Sequence, residues 1–125
     1  MISITEVKQS LREDRLAALG DPTRQQILEL LAERPRTASE LHSAFPIAAP
    51  AVSRHLRVLR EAGLVGEEQV PEDRRVRLYR LEHEALEELS AWLSELSRGW
   101  QRQLDSFRDY VSVRGSRGHS ARRPR

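Results

Sequence analysis

Cysteine is absent from the 125 residues, and with it go disulfides, thiolate metal sites, thiol-based sensing and sulfur nucleophiles. Long apolar runs are missing too, so no stretch reads as a membrane span. The opening segment MISITEVKQS has neither the basic stretch nor the apolar run of a secretory signal, and the expected location is the cytoplasm. There is no glycine-rich phosphate loop, no internal repeat, and no histidine at nucleophile–base spacing from the carboxylate pairs Glu67-Glu68 and Glu87-Glu88. Catalysis therefore has no residue set to work with. No metal site and no cofactor are expected.

What is present is charge on a helical pattern. Hydrophobic residues make up 38% and charged residues 32% of the chain, the profile of a globular protein outside the disordered class. The net charge of +2 conceals a division. Five of the 21 basic residues lie in Arg114–Arg125 with no acid among them, leaving 16 basic against 19 acidic residues in the rest. Within that acidic body Arg54, Arg57, Arg60, Arg74, Arg75, Arg77 and Arg80 crowd together, and such local concentration points to a polyanion better than the total does. Size and composition suggest one domain over residues 1–113, followed by an Arg-rich tail, RGSRGHSARRPR at 114–125, expected to be disordered.

Apolar spacing and capping signals divide the body into elements. Ile4, Val7, Leu11, Leu16 and Leu19 predict a first helix, with Gly20 offering a left-handed cap. In DPTRQQILELLAER, Asp21 is an N-cap, Pro22 sits where a missing N–H costs nothing, and Ile27, Leu28, Leu30 and Leu31 form a buried stripe. Thr37 and Glu40 make a capping box for a short third helix running through Leu41 and Phe45 until Pro46 stops it. Pro50 then occupies the first turn of a fourth helix, and two short helices joined by a tight turn are a helix-turn-helix signal.

On that fourth helix, PAVSRHLRVLREAGLV, a step of about 100° per residue gathers Val52, Leu56 and Leu59 on a dry face and Pro50, Arg54, Arg57 and Glu61 on the opposite one. LVGEEQV and RRVRLYRL read as two strands joined at PEDR, Pro71 to Arg74, and a hairpin directly after a helix-turn-helix makes a wing. The last helix carries Leu86, Leu89, Leu93, Leu96, Trp100, Leu104, Phe107 and Val111 at spacings of three and four with one extra step of four. A helix of about thirty residues spans on the order of 45 Å, more than a small body can cover. A second copy of the chain, with Val7 and Leu11 of the first helix contributing, is the economical cover. Gly99 marks a site for a bend or break. The expected fold is mainly α with a small β-hairpin: a winged helix-turn-helix whose terminal helices form a dimer interface.

LGDPTRQQILELL, PAVSRHLRVLREAGLV and RLYRL, in this order and spacing, resemble the ArsR family of bacterial winged-helix regulators over roughly residues 16–81. The resemblance implies a homodimer that binds a partly palindromic operator and leaves it when an effector arrives. Metal-sensing members carry a Cys-x-Cys-like pair on the third helix, where this chain has TASELHSAF, or Asp and His ligands along the last helix, where it has only His83. The chain is thus similar to the cysteine-free branch, with an unidentified small-molecule effector in prospect. It also has Ala48 where a serine N-cap is usual.

The expected partner is double-stranded DNA. Arg54 and Arg57 suit guanine O6/N7, Ser53 suits phosphate or base, and Ala49 and Ala51 suit thymine methyls, with Pro50 permitting close approach. His55, on the flank of the dry face, is a partly buried residue or a phosphate donor. Arg74, Arg75 and Arg77 suit phosphate or minor groove, unless Glu67, Glu68, Glu72 or Asp73 pairs with them. Arg24 and Thr37 are lesser phosphate candidates, Thr37 being chiefly a cap. Trp92 and Trp100 are anchors of the core or interface, or else the lining of an effector pocket. The competing reading of the whole is a winged-helix protein-interaction module that uses its helical seam and binds no specific DNA.

Overall fold

The computed structural model describes residues 2–118, in the order α1 (Ile4–Ala18), α2 (Pro22–Glu33), β1 (Arg36–Thr37), α3 (Ala38–Ser43), α4 (Ala49–Glu61), β2 (Val65–Val70), β3 (Asp73–Leu81) and α5 (His83–Gly118). The chain divides into two compact units between Glu87 and Glu88.

In the first unit the caps set the helix boundaries. The Asp21 carboxylate accepts from the Arg24 N–H at 3.0 Å to start α2, with Pro22 in the first turn. That N–H, more than any other influence, holds the Asp21 carboxyl below the usual carboxylate range. Both halves of the capping box of α3 form: Glu40 N–H donates to Thr37 Oγ1, and Thr37 N–H donates to Glu40 Oε1. The helix ends at Ser43, short of Phe45. α4 begins on Ala48, whose side chain makes no cap, and ends in a Schellman turn. There Gly63 N–H donates to the Arg60 carbonyl, Leu64 N–H donates to the Leu59 carbonyl, and Gly63 is left-handed at φ 76°. Gly20 takes no such conformation: Leu19 closes α1 with a right-handed backbone.

The core of this unit is apolar throughout. Ile27, Leu28 and Leu31 of α2, Leu41 of α3, and Val52, Leu56 and Leu59 of α4 are buried, as are Leu64, Val65, Tyr79 and Leu81. Leu30 is only half-buried, so the α2 stripe is narrower than its spacing implied. The hairpin gains a third strand that sequence spacing did not announce. β1 pairs antiparallel with β3, Arg36 opposite Tyr79 and Thr37 opposite Leu78, giving the sheet order β1-β3-β2. Two residues are too few to show alternation. The turn is also tighter than PEDR: β3 resumes at Asp73, opposite Val70, while the adjacent Gln69 faces Arg77. Arg74, Arg75 and Val76 therefore bulge from the ladder.

α5 is one continuous helix of 36 residues, unbroken at Gly99. It includes residues 114–118 of the tail expected to be disordered; helical hydrogen bonding carries past Val113. The rest of that tail, 119–125, lies outside the described residues. In the second unit Leu93, Leu96, Trp100, Leu104, Phe107, Tyr110 and Val111 are all exposed. Leu89, expected at the dimer interface, is only 5% exposed and offers little surface to a second copy. No helix among the described residues is long and apolar enough to cross a membrane.

Candidate nucleic-acid interface

α4 owes its two faces to residue spacing. Val52, Leu56 and Leu59 are buried, and the opposite positions Pro50, Arg54, Arg57 and Glu61 are exposed. Ala49 and Ser53 are exposed with them, and Ala51 is half-buried. Arg54 and Arg57 make no side-chain hydrogen bond or ion pair among the described residues, so their guanidiniums keep every donor available. Ser53 Oγ lies 3.2 Å from His42 Nε2, a tie between α3 and α4 that sequence spacing did not reveal.

Two arginines act inside the fold. Arg15 Nε donates to the Ala62 carbonyl at the end of α4 at 3.0 Å. Arg24 Nε donates to the Ala18 carbonyl at 2.7 Å, Nη2 to the Ala17 carbonyl at 3.4 Å, and Nη1 to His55 Nδ1 at 3.2 Å. Guanidiniums so placed satisfy helix-end carbonyls and complement the negative end of the dipole. Arg24, a lesser phosphate candidate in the sequence, thus clamps α1 and α4, with three of its five N–H donors taken within the fold. His55 is half-buried beside it, with Asp21 Oδ2 3.8 Å from Nδ1. Thr37 likewise has its hydroxyl committed to the α3 cap.

On the wing, Arg74 has no side-chain partner among the described residues, and Arg75 bonds Asp73 at 3.2 Å while its side chain is 91% exposed. Arg77 takes the alternative that the sequence leaves open, pairing with an acid of the wing: its Nη1 donates to Glu67 Oε1 at 2.8 Å. Arg60, at the end of α4, reaches the other oxygen of the same carboxylate at 3.1 Å. Arg80 pairs with Glu82 at 3.3 Å and lies 3.9 Å from Glu68. The bulge sets the two tip arginines apart from the ladder that pins Arg77.

No group of three or more His, Cys, Asp or Glu side chains among the described residues is arranged to hold a metal ion. On α5 an open concavity of about 640 Å³ lies over Gly99, lined by Leu93, Leu96 and Trp100 among others; Trp92 is not part of it.

A tight helix pair whose second helix turns two unpaired arginines outward, followed by a hairpin with cations at its tip, defines a winged helix-turn-helix DNA-binding module. A family model described as bacterial regulatory protein, arsR family, matches residues 21–67. The HTH-type transcriptional regulator Rv2034 of Mycobacterium tuberculosis is 38% identical over 98 residues, 78% of this chain and 86% of that protein. The transcriptional repressor SdpR of Bacillus subtilis is 38% identical over 50 residues, 40% of this chain and 56% of that protein. An ArsR-like transcriptional regulator from Rhodococcus sp. RHA1 superposes with a TM-score of 0.72 at 28% identity, over 83% of this chain and 95% of that one. The chain belongs to the ArsR family: it is a DNA-binding transcriptional regulator, in a family of regulators rather than enzymes.

Proposed function

We propose that the protein works as a homodimeric repressor that binds a partly palindromic operator, each α4 in a major groove and each wing on the flanking backbone. The observation that carries this reading is the pair Arg54 and Arg57, exposed and unpartnered on the outer face of a helix whose inner face is wholly buried. Bidentate guanidinium contacts to guanine are the commonest specific contact in the major groove. Arg74 and Arg75 supply phosphate contacts at the wing tip. Repression follows the relative named a transcriptional repressor, 38% identical over 50 residues of this chain.

Dimerisation is supported by the exposed apolar seam of α5, with Leu93 49%, Leu96 56%, Trp100 64% and Phe107 64% open to solvent. Val7 of α1 is 53% exposed, and Leu11 is half-buried. So much apolar surface along one helix is costly in water unless a second copy covers it. A small-molecule effector, if one operates, meets a Trp100-lined concavity that this seam already provides.

The test is a footprint on the DNA upstream of the protein's own gene. The expected result is a two-fold site with half-sites about 34–36 Å apart, one helical turn. A chain that protects no site and sediments as a monomer at micromolar concentration refutes the proposal.

A further inference from the structure

The arginines around the interface fall into two sets according to their partners. Arg54, Arg57 and Arg74 are unpaired among the described residues, and the 91% exposed Arg75 side chain holds only Asp73, a pair easily exchanged for phosphate. Arg60 and Arg77 are held differently. Both end on Glu67, one guanidinium to each carboxylate oxygen, at 3.1 and 2.8 Å.

Glu67 sits on β2 directly opposite Tyr79 of β3, and its side chain is only 15% exposed. Burial first, and then the Glu67 charge, push the ionisation of the Tyr79 phenol up. Arg60 comes from the end of α4 and Arg77 from β3, so one sheltered carboxylate ties the recognition helix to the wing. Charge-assisted bonds at such a site are less screened than surface pairs. A phosphate that drew off Arg60 or Arg77 would leave one oxygen of the sheltered, charged Glu67 without its guanidinium, which carries a desolvation cost.

We infer that Glu67 is a specificity-determining residue of the DNA interface, one that withholds Arg60 and Arg77 from phosphate while fixing the wing against the end of α4. This inference rests on the DNA-binding role proposed above for α4 and the wing. Nonspecific affinity rises with the number of phosphates neutralised, whereas base readout stays with Arg54 and Arg57. Two released arginines would help most in nonspecific complexes, where no base contact sets the register. The ratio of operator to random-sequence affinity would therefore fall.

The experiment measures binding of the full chain to a duplex of scrambled sequence across a salt series, for wild type, Glu67→Gln, Arg77→Gln and the double variant. Glu67→Gln is expected to steepen the salt slope by ~0.9 for each arginine released. The affinity lost between about 50 and about 200 mM salt then grows by ~3.5-fold for one new contact and ~12-fold for two. Arg77→Gln alone leaves the wild-type slope in place, and in the Glu67→Gln background it takes back ~0.9. A Glu67→Gln slope equal to wild type overturns the inference. So does a slope shallower by ~0.9 in Arg77→Gln alone, an arm that decides even where Glu67→Gln fails to fold. Wild-type protein that binds no duplex at any salt would sink the DNA-binding reading itself, a different result from either.

Discussion

Nη1 of Arg24, in the first turn of α2, donates across 3.2 Å to Nδ1 of His55 in the middle of α4. The same guanidinium holds the carbonyls of Ala17 and Ala18, and a single side chain thereby joins the end of α1 to the start of α2 and the flank of the recognition helix.

Replacing Arg24 with Leu is expected to lower unfolding stability by about 1–3 kcal/mol, since partly buried acceptors lose their donor. Arg24→Lys should recover little, because an ammonium cannot match a planar fork spread over three acceptors. Urea unfolding measures both. An unchanged midpoint for Arg24→Leu would return this residue to the surface set.

Arg54 and Arg57 on one side, and Arg74 on the other, should fail in different ways. Arg54→Ala or Arg57→Ala is expected to cost about 1–3 kcal/mol on the operator and much less on scrambled DNA. Arg74→Ala should weaken both alike and flatten the salt slope by ~0.9. Equal losses on both duplexes for Arg54→Ala would move it from base to phosphate.

The two ends of α4 carry opposite backbone predictions. Gly63→Ala forces a Cβ into a left-handed residue and should cost about 1–2 kcal/mol. At the other end, Ala48 has the extended backbone of an N-cap, φ −64° and ψ 144°, but no side-chain acceptor. Ala48→Ser supplies one and should add about 1 kcal/mol. Thermal melts check both signs.

Glu40 anchors a pH prediction. The Arg34 guanidinium at 2.8 Å, followed by the Thr37 N–H, pulls its carboxyl down to about 2. A carboxyl depressed in the folded state stabilises the fold above its unfolded pKa, and loses that contribution as pH falls through the folded one. Glu40→Gln should therefore be less stable than wild type at neutral pH, with the gap closing steadily below about pH 4.5 and nearly gone near pH 2. Denaturant midpoints across this range give the comparison. A gap that persists undiminished at the acid end would show that the capping geometry, and not the charge, carries the effect.

Much of the fold was legible in short stretches of chain. Asp21, the Thr37–Glu40 box, Pro50 at the start of α4 and the buried line Val52, Leu56, Leu59 all took the places their spacing required. Caps and apolar periodicity act within one or two turns, so neighbours in sequence are the partners that matter. The two-residue strand β1 escaped because pairing with β3, far along the chain, is all that makes it a strand.

Charge told less. The sequence by itself determined a helix with a cationic outer face, a wing and a long apolar seam, and so the class of regulator. Which arginines remain available was decided only by tertiary structure. Arg24 meets the end of α1 and His55, and Arg77 meets Glu67, through contacts set by packing. A guanidinium reaches any carboxylate or carbonyl that the fold carries to within a few ångströms of it, whatever the distance along the chain.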